Sequence, residues 1–288
     1  MTPNNISSAA SFLDQQPDFK PSDILFRNFA RYLLESTGIS QLPGSLDLIR
    51  KRHNLNRHDR TLPQSRGFLL GDTIFINSED PDSVKRFTEA HEIMETLVIA
   101  IRPEIPAHSR LKFERDKEKW CEGGAAELLM PDELFFPLVK KQGINLDSSR
   151  QIAGVCQTSL TATIRRMLDS NLSPCIFALL QEGYKKHQIV PTRNGQGVLW
   201  GNSSDWDPPA ELRVLRYWKS PQVKTILIKN ESFSHDNLAY QVFQSGIIGK
   251  VKTGQEILEL EKIQGTYLTE AMLVTIENTA SVMSLIHL

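Results

Sequence analysis

The sequence predicts an α+β protein in which a mixed N-terminal part, a helical middle and a strand-rich end follow one another. Three observations carry this expectation. Apolar residues recur at helical spacing through most of the first 185 positions, one alternating hairpin interrupts them near residue 70, and glycine and proline beyond Pro191 give way to alternating runs. The expected divisions are a flexible lead at 1–20, a first domain at 21–135, a helical region at 136–190 and a β-rich domain at 191–288.

With 288 residues, 40% hydrophobic and 23% charged, the chain can bury two or three packed units. A formal net charge of -1 and a pI near 6.7 provide no global field for nucleic acid or anionic lipid. Cys121, Cys156 and Cys175 are too few and too scattered for a disulfide framework, and read as small buried hydrophobes of a reducing compartment. The N-terminus lacks a cationic start with a long apolar core, and no stretch approaches the roughly 20 apolar residues of a membrane span, so a cytoplasmic location is expected.

The polar, Ser/Asn/Gln-rich residues 1 to 20 read as a lead with too little apolar content to order itself. Ile24, Leu25, Phe29, Tyr32 and Leu33 mark a first amphipathic helix, and a second lies at Leu46 to Lys51. The polar stretch RHNLNRHDRTLPQSRG reads as loop, and GFLLGDTIFIN as a hairpin turning at Gly71-Asp72. A helix follows over VKRFTEAHEIMETLVIAI, with Asp82 or Ser83 as its cap. Another runs from Phe113 to Met130 and stops at Pro131. Residues 132 to 185 read as wholly helical, with a helix-turn-helix cadence across Gln157 to Ser159. Near the end ELRVLRYW, KTILIK and LAYQVFQ alternate like strands.

Residues four apart on a helix stand one turn above each other, so the His91 ring and the Glu95 carboxylate can converge on one point with Glu92 beside them. Zinc-peptidase chemistry needs two ligands at this spacing, an intervening Glu as general base, and a third ligand from another helix, for which Glu118 is the candidate. Bare H-E-x-x-E also arises on solvated acidic faces. Here the trio lies in an otherwise apolar helix, where a buried charge calls for a partner or a metal. The strand TIFIN could offer its backbone edge to an extended, flexible substrate.

The stretches INSEDPDSVKRFTEAHEIMETL and EKWCEGGAAELLMPDEL resemble the ImmA/IrrE metallopeptidase family. That family shows R-x-F-T-x-A-H-E-x-x-H and then a ligand Glu seven residues before A-A-x-L-L-M-P. Arg86, Phe87, Thr88, Ala90, His91 and Glu92 match the first motif, and Ala125, Ala126, Leu128, Leu129, Met130 and Pro131 the second, with Glu118 at the ligand position. Glu95 stands where the family carries its second histidine, and a carboxylate there suits harder ions such as manganese comparatively better. The resemblance, over roughly residues 24 to 170, implies a small zincin-like peptidase domain with a helix-turn-helix-like extension. It implies His91, Glu95 and Glu118 on Zn2+ or Mn2+ with Glu92 as base, and a helix-turn-helix transcriptional repressor as substrate in stress response or mobile-element regulation. The change at Glu95 keeps open the alternative of a noncatalytic pseudopeptidase that regulates by binding a partner. His108 in the following connector could supply an imidazole, although a loop histidine is more often solvated.

Ser159, Thr161, Thr163, Arg165 and Arg166 are residue types that contact phosphates, but neutral overall charge favours a packing helix pair over direct DNA binding. Trp200, Trp206, Tyr217 and Trp218 could line the pocket of a sensory module, or simply fill a core.

Overall fold

A computed structural model describes residues 7–16, 18–184 and 210–288. The chain divides into two compact units, one of residues 1–142 with 150–166 and the other of 143–149 with 167–288.

The first unit opens with α1 (Ser7–Asp14), α2 (Asp23–Thr37) and α3 (Leu46–Arg52). The lead expected at 1–20 therefore contains a helix, because Ala9 and Phe12 fall on one face and bury there. Phe12 meets the rings of Phe29 and Tyr32 at 5.3 and 5.5 Å. The side chain of Ser22 accepts from the Leu25 N–H to begin α2, and Gly38, at φ +67°, closes it in the left-handed conformation that glycine adopts without strain.

Three strands follow: β1 (Asn56–Arg60), β2 (Gly67–Leu70) and β3 (Thr73–Asn77), in the order β1-β3-β2. The β2/β3 hairpin turns at Gly71-Asp72 as its pattern predicts. The polar NRHDR, expected as loop, is instead a strand parallel to β3. It lies mostly exposed at the sheet margin, so backbone pairing forms it without an apolar face for the sequence to display. β3 consequently has both edges paired, and the open edges belong to β1 and β2 rather than to TIFIN.

Two long helices, α4 (Asp82–Ile101) and α5 (Arg110–Leu129), pack on each other. α4 starts at Pro81 without a side-chain cap, so neither Asp82 nor Ser83 plays the role expected of it. Close approach requires a small residue in α5. A methyl group on Gly124 would stand 2.5 Å from Met94 Sδ on α4 and 3.1 Å from the Phe26 carbonyl on α2. α6 (Asp132–Gln142), α7 (Leu146–Cys156) and α8 (Leu160–Asp169) complete the helical run, with the step between α7 and α8 where the sequence places it.

In the second unit β4 (Cys175–Gly183), β5 (Glu211–Lys219), β6 (Val251–Leu260), β7 (Ile263–Ile276) and β8 (Thr279–His287) form an antiparallel sheet of order β5-β4-β8-β7-β6. Residues 132–185 are thus not wholly helical: the run CIFALL is a strand buried on both faces, for which apolar periodicity is silent. LAYQVFQ is the reverse case, a helix, α9 (Leu238–Ser245), bounded by Asn237 and the left-handed Gly246. KTILIK pairs in no strand. One face of the sheet buries Ile176, Ala178, Leu180, Val214 and Ile286 with Ala239, Tyr240 and Val242 of α9. Trp218 stacks on Phe177 at 5.4 Å on the opposite face, while Tyr217 packs against this core; the boundary expected near 190, Trp200 and Trp206 lie outside the described residues.

Candidate functional site

α4 buries Ala90, Ile93, Met94, Leu97 and Val98 and thereby fixes which way its next face points. On that face the His91 side chain is 17% exposed and Glu92 10%, so both sit at the floor of a cleft rather than in open water. α5 brings Glu118 across, and the His91 ring lies between two carboxylates, with Nδ1 3.5 Å from Glu92 and Nε2 3.5 Å from Glu118. Burial pulls the His91 pKa down, but the hydrogen bond and charge of Glu92, with Glu118 and Glu95 behind, outweigh it and hold the ring above its ordinary value.

Glu95 is one turn along α4, as predicted, but its carboxylate is already engaged. Lys117 Nζ lies 3.3 Å from Glu95 Oε1 and 3.3 Å from Glu118 Oε1, bridging the two helices. The buried Cys121 thiol, one turn after Lys117, comes within 3.8 Å of the same Glu95 oxygen. Its pKa is pushed well up by burial first and by Glu95 and Glu118 second, so it stays a neutral thiol. Spacing alone gave no sign of Lys117. Its position four before the apolar Cys121 was the available signal that it faces α4.

Among the described residues no three His, Cys, Asp or Glu side chains stand ready to hold a metal ion. His91 and Glu118 supply donors of suitable chemistry on one cleft, whereas Glu95 as placed holds an ammonium instead. His108 is exposed in a short turn at Ala107–Ser109 and lines neither part of the cleft.

The cleft has two arms that share Gly67, His91, Glu92 and Glu118. One, of about 460 Å³, runs past Phe87 to Arg66, Ser159, Thr161 and Arg165; the other, of about 380 Å³, runs past Phe68 and Leu69 to Ile99 and Arg102. Edge strand β2 therefore lies along the cleft, and the start of α8 forms part of its wall. Of the residues named as phosphate contacts, Thr163 and Arg166 are buried. Arg166 is spent on Glu127 and Asp132, and Arg165 lies 3.6 Å from Glu122. Gly67 is required where β2 meets α4: a Cβ there would stand 2.5 Å from the Thr88 methyl and 2.7 Å from the Phe75 carbonyl.

A helix carrying H-E-x-x-E, a second helix carrying an acid, and an edge strand thus lie along one cleft. Residues 48–167 match the IrrE N-terminal-like domain of the M78 peptidases. The radiation response metalloprotease IrrE of Deinococcus deserti is 30% identical over 111 residues, covering 37% of this chain and 39% of that protein. The shared stretch is thus well under half of the relative's length. By these matches residues 48–167 are similar to the IrrE N-terminal-like domain. A transcriptional regulator of Mycobacterium tuberculosis resembles it in fold alone, with a TM-score of 0.57 at 11% identity over 98% of this chain and 81% of that one. No described helix is long and apolar enough to cross a membrane.

Proposed function

We propose that the first unit is a metal-dependent endopeptidase acting on an extended segment of a cytoplasmic protein. The convergence of His91, Glu92 and Glu118 on one cleft lined by an edge strand carries this reading. The backbone of β2 adds the substrate as a further strand, which holds a peptide by its main chain and leaves selection to the two arms. A divalent ion, Zn2+ or Mn2+, held by His91, Glu118 and Glu95 would supply Lewis acidity toward the substrate carbonyl. Glu92, mostly withdrawn from water beside His91, takes the proton of the attacking water and returns it to the leaving amine. A helix-turn-helix transcriptional repressor is the substrate that the resemblance to the ImmA/IrrE family favours, in stress response or mobile-element regulation.

The test is metal content of the purified chain after dialysis against zinc or manganese, followed by incubation with such a repressor. Bound metal and cleavage that falls roughly 10²–10⁴-fold in Glu92→Gln are expected. A chain that cleaves nothing in either metal overturns the catalytic reading. The second reading, a noncatalytic regulator that binds a partner in the same cleft, is favoured by one observation: Lys117 already pairs with two of the carboxylates.

A further inference from the structure

Three carboxylates, Glu92, Glu95 and Glu118, line one arm of this cleft from two helices, and like charges gathered there repel unless a cation stands among them. The structure places one there covalently. Lys117 Nζ is 3.3 Å from one oxygen of Glu95 and 3.3 Å from one of Glu118, and its side chain is only 18% exposed. An ammonium is a compact point charge with three rotatable donors, so it can serve two carboxylates at once as a small inorganic cation would. Its four-carbon stem also allows it to leave. Glu114, one turn earlier on α5 and 4.0 Å from Nζ, is held by Arg102 through two hydrogen bonds, so the ammonium that leaves moves outward to solvent.

We propose that Lys117 is an internal cation that competes with a divalent metal for Glu95 and Glu118, so that the site exchanges between an ammonium-filled and a metal-filled state. This rests on the metal site proposed above and adds its regulation. In the first state Glu95 is unavailable and the helices are tied together without metal. In the second, the ammonium withdraws to solvent and leaves the two carboxylates to the ion. Metal affinity is then set by a difference between two cations for one pair of acids, and a factor that draws Lys117 outward loads the site.

The test is titration of the full chain with zinc and with manganese by calorimetry, in wild type, Lys117→Met and Lys117→Gln, with circular dichroism as the check on folding. The two neutral variants should bind metal at least tenfold more tightly than wild type, about 1.4 kcal/mol. Stripped of metal they should melt below wild type, and with zinc added the order should reverse. The glutamine variant retains a polar head where methionine disturbs the fold. Metal bound equally by wild type and variants overturns the competition and leaves the peptidase site standing. A metal-free wild type beside metal-binding variants supports the competition while removing the wild-type site as a working centre, and a failure of all three to bind overturns both.

Discussion

The middle and the C-terminal end of α5 present acids in opposite circumstances. Glu127, near the C-terminal end, is fully buried and surrounded by guanidinium groups: Arg166, itself buried, pairs with it, and Arg31 reaches it at 2.9 Å and Arg27 at 3.7 Å. Arg166 also donates to the Met130 carbonyl and to Asp132, tying the ends of α5, α6 and α8 into one knot. Glu118, nine residues earlier, is 60% exposed and among the described residues pairs with an imidazole and a flexible ammonium. A planar guanidinium locks an acid in place, whereas a lysine on a long stem leaves it free to change partner. The C-terminal end holds the fold, and the middle is left under-compensated, as a site that must accept something requires.

That contrast can be broken in order of size. Glu127→Ala removes the buried carboxylate that Arg166 and Arg31 share and should cost the first unit about 3–5 kcal/mol in denaturant unfolding, and a loss below 1 kcal/mol would put the knot among dispensable pairs. Gly67→Ala forces β2 away from Thr88 and the Phe75 carbonyl, and should cost about 1–3 kcal/mol together with any peptide binding along the cleft. Glu118→Gln should change stability by no more than about 0.5 kcal/mol while abolishing tight metal binding, which calorimetry reads directly.

The second unit supplies its own reference. His287, held by Cys175 and Glu270, has its pKa raised to about 9 from 6.5. A raised folded value means that this contribution to stability is complete below pH 6.5 and is lost as pH rises through about 9. His287→Gln should flatten the pH dependence of this unit's melting temperature across that window, and an unchanged slope would assign it to other groups.

Much of the N-terminal architecture was legible because α4, α5 and the β2/β3 hairpin combine strong periodicity with clear punctuation at Gly71 and Pro131. What escaped was of two kinds. β1 is a strand of charged residues whose reason to exist is its pairing with β3, a long-range fact absent from its own letters, and β4 is so uniformly buried that its apolar run has no period. α9 was readable in principle, since Asn237 and Gly246 bracket it as a helix, but its aromatic and β-branched content spoke for a strand. At the site the residues of α4 and Glu118 follow from spacing, while Lys117 depends on how α5 is rotated against α4, which Gly124 and Met94 decide by contact.

The brevity of β2 has a consequence for the protein's behaviour in concentrated solution. An unpaired strand edge templates pairing with any neighbour, including another copy of the same chain, and the hazard grows with its length and flatness. Four residues, beginning at a glycine and preceded by Arg66, offer a rung too short to seed a continuous ladder between molecules. The edge can therefore remain open among many copies of itself without cross-linking them into fibres.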